Sequence, residues 1–198
     1  MAIKHDQNRV EKRERLVRAA IEAFTETGYD NTTVSDIVRR AGMTPSTFYN
    51  YYRDKDALRD ELFEGAAAQL LARLAAIRES AGSVREFVQM ACKGLFAGMV
   101  QDSTNVSLLK RNLPMLRFLA DSKSLQAVYA AIRNDIAQAA ERGVLLPIDA
   151  ELATALVRGT VLEIGVALLL NPGADVDTAV EFVTKGLVSV LQSAKQGA

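Results

Sequence analysis

Apolar residues recur at three- and four-residue intervals along nearly the whole chain. No alternating run of β-branched residues interrupts them, so the pattern predicts a protein built of α-helices. From about Asn8 to Thr27, Val17, Ala20, Ile21 and Phe24 fall on one face, and Gly28 follows as a stop. Val34, Ile37, Val38 and Ala41 give the buried face of a second helix, with Thr33 as its cap, Asp36 completing a capping-box variant, and Gly42 at its end. Thr44 caps a third helix and Pro45 takes its first position, where a missing N–H costs nothing. Asp54 opens a long alanine-rich helix to about Ser80, along which Leu58, Leu62, Ala66, Leu70 and Leu74 recur. Further helices are predicted at about 83–101, 104–112, 114–120, 122–142, 149–170 and 176–194. The expected fold is all-α, with a small three-helix unit over 1–53 and a larger helical domain over 54–198. The two share the helix that begins near Asp54, with no flexible linker between them.

Composition narrows the function classes. With 198 residues and 49% hydrophobic content, the chain can bury a core without covalent staples. Its one cysteine, Cys92, and one histidine, His5, cannot build a disulfide framework or a Cys/His zinc site. Cys92 lies in an apolar stretch and reads as an inert core thiol. There is no glycine-rich phosphate loop and no G-x-S-x-G, and the single histidine sits in the N-terminal tail. An enzyme is therefore not expected, and neither is a metal or cofactor. The N-terminal "MAIKHDQNRVEKRER" has no apolar core, and the longest apolar run, Val161 to Leu170, is interrupted by Glu163. It is shorter than the roughly 20 residues a bilayer needs, so a cytoplasmic protein with no membrane partner is expected. Acidic and basic residues balance at 24 each, so global charge neither suggests nor excludes nucleic acid. Locally, residues 1–18 hold six basic residues against three acidic ones.

The stretch "TPSTFYNYYRDKDAL", Thr44 to Leu58, is the most unusual in the chain: Phe48, Tyr49, Tyr51 and Tyr52 fall within five positions. On a helix turning 100° per residue, Phe48 and Tyr52 share a buried face with Pro45. Ser46, Asn50 and Arg53 point the opposite way, flanked by Thr47 and Tyr49, with Tyr51 at the other margin. The outward surface of hydroxyls, an amide, a guanidinium and phenols can hydrogen-bond phosphates and base edges. Two short helices joined at Gly42, the second polar on its outer face, make a helix-turn-helix. Thr33 and Thr44 stand at helix N-termini, which favour phosphate, and Lys55 adds a point charge. The candidate DNA-binding residues are thus Thr33, Thr44, Pro45, Ser46, Thr47, Tyr49, Asn50, Tyr51 and Lys55. Bulky or pliable side chains in the middle helices suggest a ligand cavity lined by Phe96, Met99, Phe118 and Tyr129.

Residues 10–62, with "AAIEAFTETGYDNTTVSDIVRRAGMTPSTFYNYYRDKDAL", resemble the DNA-binding domain of the TetR family of bacterial transcriptional regulators. Phe24, Gly28, Thr32, Thr33, Ile37, Ala41, Gly42, Thr44, Phe48, Tyr49, Tyr52 and Lys55 occupy the positions of the family pattern. Pro45, where a basic or small residue is common, and Tyr51, often histidine, depart from it. The resemblance implies a ligand-responsive regulator, most often a repressor, that binds a palindromic double-stranded operator as a homodimer. A small apolar or amphipathic effector would release it. It also implies a C-terminal domain for effector binding and dimerisation. The apolar helices at Leu152 to Leu170 and around Val180, Val183, Leu187, Val190 and Leu191 suit a four-helix interface between two copies. The alternative is a DNA-binding activator or architectural protein with no small-molecule effector.

Overall fold

The computed structural model describes residues 2–101, 103–120, 122–171 and 173–192. Among these there are ten helices and no strand: α1 (Ala2–Thr27), α2 (Val34–Ala41), α3 (Pro45–Tyr49), α4 (Lys55–Ser80), α5 (Val84–Val100), α6 (Ser103–Arg111), α7 (Leu113–Ala120), α8 (Lys123–Glu141), α9 (Ala150–Leu170) and α10 (Val176–Gln192). The predicted end of the last helix at 193–194 lies outside the described residues.

Local chemistry sets most boundaries. Thr33 accepts a hydrogen bond from the Asp36 N–H while the Asp36 carboxylate accepts the Thr33 N–H, a complete capping box at the start of α2. Gly42 ends α2 at φ +62°, and its N–H returns to Arg39 and Val38 carbonyls, turning the chain sharply towards α3. Asp54 caps α4 through the Ala57 N–H at 2.7 Å. Two boundaries differ from expectation. α1 begins six residues before Asn8, because its charged first turns contain no helix breaker. α3 ends at Tyr49, shorter than the helix expected to run to Arg53. One further turn of hydrogen bonds, from Tyr51 and Tyr52 N–H to the Phe48 carbonyl, keeps Phe48 and Tyr52 on the same side.

The core divides into unequal parts. Leu16, Ala20 and Phe24 of α1, Ile37 and Val38 of α2, Phe48, Tyr52 and Leu58 form one cluster around the helix-turn-helix, against which Leu62 of α4 and Leu108 of α6 pack. This cluster crosses residue 53, so the first turns of α4 complete the small unit. Along the rest of α4 the buried positions are Phe63, Ala67 and Leu74. Ala66, expected to be buried, is exposed. The larger domain has three separate clusters. Phe96, Cys92, Leu168, Val183 and Leu187 join α5, α9 and α10; Ile136, Leu145, Ala153 and Leu191 form another; and Ala67, Leu74 and Val128 join α4 to α8. α9 corrects the estimate made from unbroken apolar runs. With 21 residues and a mean hydropathy of 1.7, it is long and apolar enough, by length and composition alone, to cross a membrane. Ala153, Gly165, Leu168 and Leu169 nonetheless commit one of its sides to the core.

Candidate nucleic-acid interface

α3 is held from behind and open in front. Phe48 is fully buried, its ring 5.5 Å from that of Tyr52. The Tyr52 hydroxyl donates to Glu61 of α4 at 3.1 Å, and Glu61 also takes the Arg13 guanidinium of α1 at 2.6 Å. Burial, then the Glu61 charge, pushes the Tyr52 phenol up to about 12, so it stays a neutral donor. α1, the turn after α3 and α4 are thereby joined through one carboxylate. On the front, Ser46, Tyr49 and Asn50 are exposed and Thr47 is half-buried. Tyr49 rests edge-on against Phe48, centroids 5.6 Å apart, with 58% of its surface open. Tyr51 is half-buried against the core.

Four expectations are modified. Pro45 is exposed rather than on the buried face with Phe48, because it occupies the first position of α3 at the rim of the unit. The Thr33 hydroxyl donates to Asp36 at 2.6 Å, and that carboxylate also takes the Arg39 guanidinium at 2.8 Å. The hydrogen bonds from Thr33 hold the Asp36 carboxyl below its usual range, so the N-terminus of α2 already carries an anion that competes with phosphate. The Thr44 hydroxyl is shared between the Thr47 N–H at 3.3 Å and the Thr47 hydroxyl at 3.0 Å. Lys55 spends two of its three N–H donors on the Tyr29 and Thr32 carbonyls, at 2.6 and 2.8 Å, while lying 4.2 Å from the Tyr29 ring centroid. Burial lowers its pKa. It pins the turn before α2 to α4 and keeps one donor for an outside partner.

Of the four cavity residues, Phe96 and Met99 both lie against Gly165, while Phe118 and Tyr129 are each set beside an arginine. Phe96 is fully buried in the α5–α9–α10 core. Met99 lies against Gly165, where an added Cβ would meet its sulfur at 2.9 Å. Phe118 is 56% exposed on α7, with Arg59 of α4 4.8 Å from its ring centroid. Tyr129, on α8, has the Arg158 guanidinium 5.6 Å from its ring. Helical periodicity identified bulky side chains correctly but not their neighbours. A cleft of about 710 Å³ lies instead between α1 and α4, lined by Arg9, Arg13, Tyr51, Arg53, Glu61 and Glu64 among others. Another, of about 290 Å³, lies between α4 and the start of α8. Neither includes any of the four residues.

Two elements at the junction of the parts gave no sequence signal. Arg59 bonds the Tyr29 hydroxyl, Asp56 and Asp60, and lies beside the Tyr29 and Phe118 rings. Asn112, between α6 and α7, is buried and hydrogen-bonded to the end of α1. Their partners across the junction, Tyr29 and Phe118 for Arg59 and Phe24 and Tyr29 for Asn112, are distant in sequence, so no local pattern announces them.

Known proteins place this arrangement. The profile described as bacterial regulatory proteins, tetR family, matches residues 16–62. The HTH-type transcriptional regulator YvdT of Bacillus subtilis is 47% identical over 47 residues, 24% of each chain. The HTH-type transcriptional regulator BetI of Escherichia coli is 33% identical over 100 residues, 48% of each. The matches thus span between a quarter and half of these relatives' length. Over nearly the whole chain the fold is that of the transcriptional regulator FadR from Bacillus subtilis, solved with stearoyl-CoA. The TM-score is 0.75 at 19% identity, covering 90% of this chain and 99% of that one. The region from α1 to the start of α4 thus matches the model of the tetR family of bacterial regulatory proteins, and the fold over nearly the whole chain is shared with a solved regulator.

Proposed function

We propose that the protein is a transcriptional repressor that binds a near-palindromic DNA operator as a homodimer and is released by an apolar or amphipathic small molecule. The observation that carries this reading is the open face of α3, where Ser46, Tyr49 and Asn50 project from a helix braced by Phe48, Tyr52 and Glu61. Asn50, at the C-terminal end of α3, reads a base edge, with Ser46 and Thr47 preceding it on the helix. Thr44, Tyr49, Tyr51 and the remaining donor of Lys55 meet phosphates, and exposed Pro45 packs at the groove edge. Thr33 is the weakest of the set, because Asp36 sits beside it.

The dimer reading rests on apolar surface left open on α9 and α10. Leu152 is 71% exposed and Phe182 69%, with Leu156, Leu170 and Val190 also exposed. Patches of this kind mark protein interfaces. Two copies facing through α9 and α10 would bury them as a four-helix layer and present two α3 helices to successive major grooves, about 34–36 Å apart or a multiple. The effector reading draws support from the similar fold of the FadR solved with stearoyl-CoA. The packing of Phe96 and of Met99 on Gly165 favours a second reading, a DNA-binding regulator with no effector.

Selection of bound fragments from genomic DNA tests the proposal. One or a few near-palindromic sequences should be enriched, and enrichment of none above random fragments would contradict it. Fluorescence titration with stearoyl-CoA and other apolar or amphipathic molecules, with and without the selected DNA, decides between the two readings. A ligand that weakens DNA binding supports the first, and no binding across the panel supports the second.

A further inference from the structure

We infer that Asn112 is a positioning residue that clamps the helix-turn-helix unit to the C-terminal helices and thereby helps fix the spacing between two recognition helices; this rests on the operator-binding dimer proposed above. α4 is one continuous connection between the two parts. Asn112 is a second, at the joint of α6 and α7. Its side chain is buried, and its amide is almost fully used. Oδ1 accepts the Tyr29 N–H at 2.6 Å, while Nδ2 donates to the Phe24 carbonyl at 3.0 Å and the Leu108 carbonyl at 2.7 Å. One side chain from the larger domain therefore satisfies both the last turn of α1 and the first N–H beyond Gly28. It does so across more than 80 positions of sequence.

The surroundings keep the amide in place. Gly28 has φ +84°, and a Cβ there would make ordinary contact with the Cγ of Arg111 at 3.4 Å, so the end of α6 packs directly on the turn. Leu108 packs into the N-terminal core, and the Phe118 ring covers Arg59, which itself holds the Tyr29 hydroxyl. These cross-domain contacts land on α1, on the turn before α2 and on the first turns of α4, while α6 also packs on α5 and α9, and α7 on α8. Removing the amide would leave the part-buried Tyr29 N–H without its acceptor, and the unit could then pivot about α4. A pivot leaves each α3 surface intact but changes how two of them are spaced.

The experiment uses the full chain and the variant Asn112→Leu, which keeps the branched four-atom skeleton and loses the amide. Binding is measured on the selected operator, on versions with one base pair inserted or deleted at its centre, and on an isolated half-site. Wild-type protein should lose at least about tenfold on the altered spacings, and Asn112→Leu no more than about threefold, with half-site affinity unchanged to within about twofold. Hydrogen exchange at the Tyr29 amide should quicken at least about tenfold in the variant while α5 and α10 amides keep their rates. If circular dichroism shows that Asn112→Leu does not fold, Phe118→Ala, which removes an exposed ring, replaces it, with the same changes expected at smaller size. Wild-type spacing discrimination and exchange in the variant would overturn the clamp. So would equal loss on every duplex including the half-site, which would make Asn112 a general stabiliser of the unit. A wild-type protein that selects no DNA contradicts the operator reading instead, and the exchange measurement, which needs no DNA, still reads the clamp.

Discussion

The helix-turn-helix unit and the α9–α10 pair solve the problem of apolar surface in opposite ways. In the unit, α1, α2, α3 and the start of α4 close around Phe24, Ile37, Phe48 and Leu58, and its helix ends are capped by Thr33, Thr44 and Asp54. What it leaves outside is polar: charged side chains along α1 and α2, and hydroxyl, amide and phenol groups on α3 and the residue after it. The α9–α10 pair buries Leu168, Val183 and Leu187 on one side and leaves Leu152, Leu170 and Phe182 outside. A surface of polar groups on a finished core is suited to a polar ligand such as DNA. A surface of leucine and phenylalanine on a partly covered helix pair is suited to another apolar face. The difference teaches that the unit closes its apolar core within one chain, whereas the C-terminal helices keep apolar surface that the proposed dimer would cover.

The contrast breaks most visibly at Phe182. Phe182→Asp places a carboxylate on the proposed interface in each copy, and an unpaired buried charge costs several kcal/mol. Dimer dissociation should strengthen by at least about 100-fold with helicity retained, as read by sedimentation equilibrium; an unchanged dissociation constant would mean that α10 does not form the interface. Phe48→Ala attacks the other side. Deleting a buried phenylalanine costs about 3–5 kcal/mol, so exchange protection should collapse across α1 to α3 while α9 and α10 stay protected. Loss of protection throughout would show that the two regions are not separable.

Smaller effects sharpen the DNA face itself. Asn50→Ala should cost about 1–3 kcal/mol on the preferred operator and relax discrimination at one base per half-site. Tyr49→Phe should weaken all sequences alike, since its hydroxyl is assigned to phosphate. Identical profiles over an operator mutation panel would contradict that division.

The smallest effect concerns Cys92, inside the α5–α9–α10 core, where burial pushes the thiol up to about 11. A raised folded-state pKa means that the thiolate is disfavoured in the fold. Its contribution to stability is whole below the ordinary thiol value of about 8.5 and is lost as pH rises through about 11. Iodoacetamide at about pH 9 should therefore leave native protein unlabelled and label it fully in denaturant. Rapid native labelling would show that this core opens locally even though α1 to α4 stay closed.

How far the sequence could be read follows the same divide. Thr33 with Asp36, Thr44 with Pro45, Gly42 and Asp54 are contiguous signals with local physical causes, and each helix of the unit begins or ends where they place it. Phe48 and Tyr52 are paired by helical spacing alone and are buried together. The exposure of Pro45 and the early end of α3 escaped, because a continuous helical wheel was drawn through a chain that leaves the helix at Asn50. In the larger domain, periodicity located the helices but not the partner of each face. Phe96 and Met99 share the surroundings of Gly165, whereas Phe118 and Tyr129 each lie beside an arginine, a division that their spacing along the helices does not announce. Asn112 gave no signal, since its role lies in meeting Phe24 and Tyr29 in space.

The central claim is that two chains, joined through α9 and α10, hold two α3 helices on one DNA duplex. The most direct measurement is the mass of the complex on the selected operator, taken at protein concentrations from well above to well below the dimer dissociation constant. The account predicts two chains per duplex wherever binding is tight, with binding lost in step with dimer dissociation and restored by neither half-site alone. One chain bound tightly and specifically to the operator would contradict it.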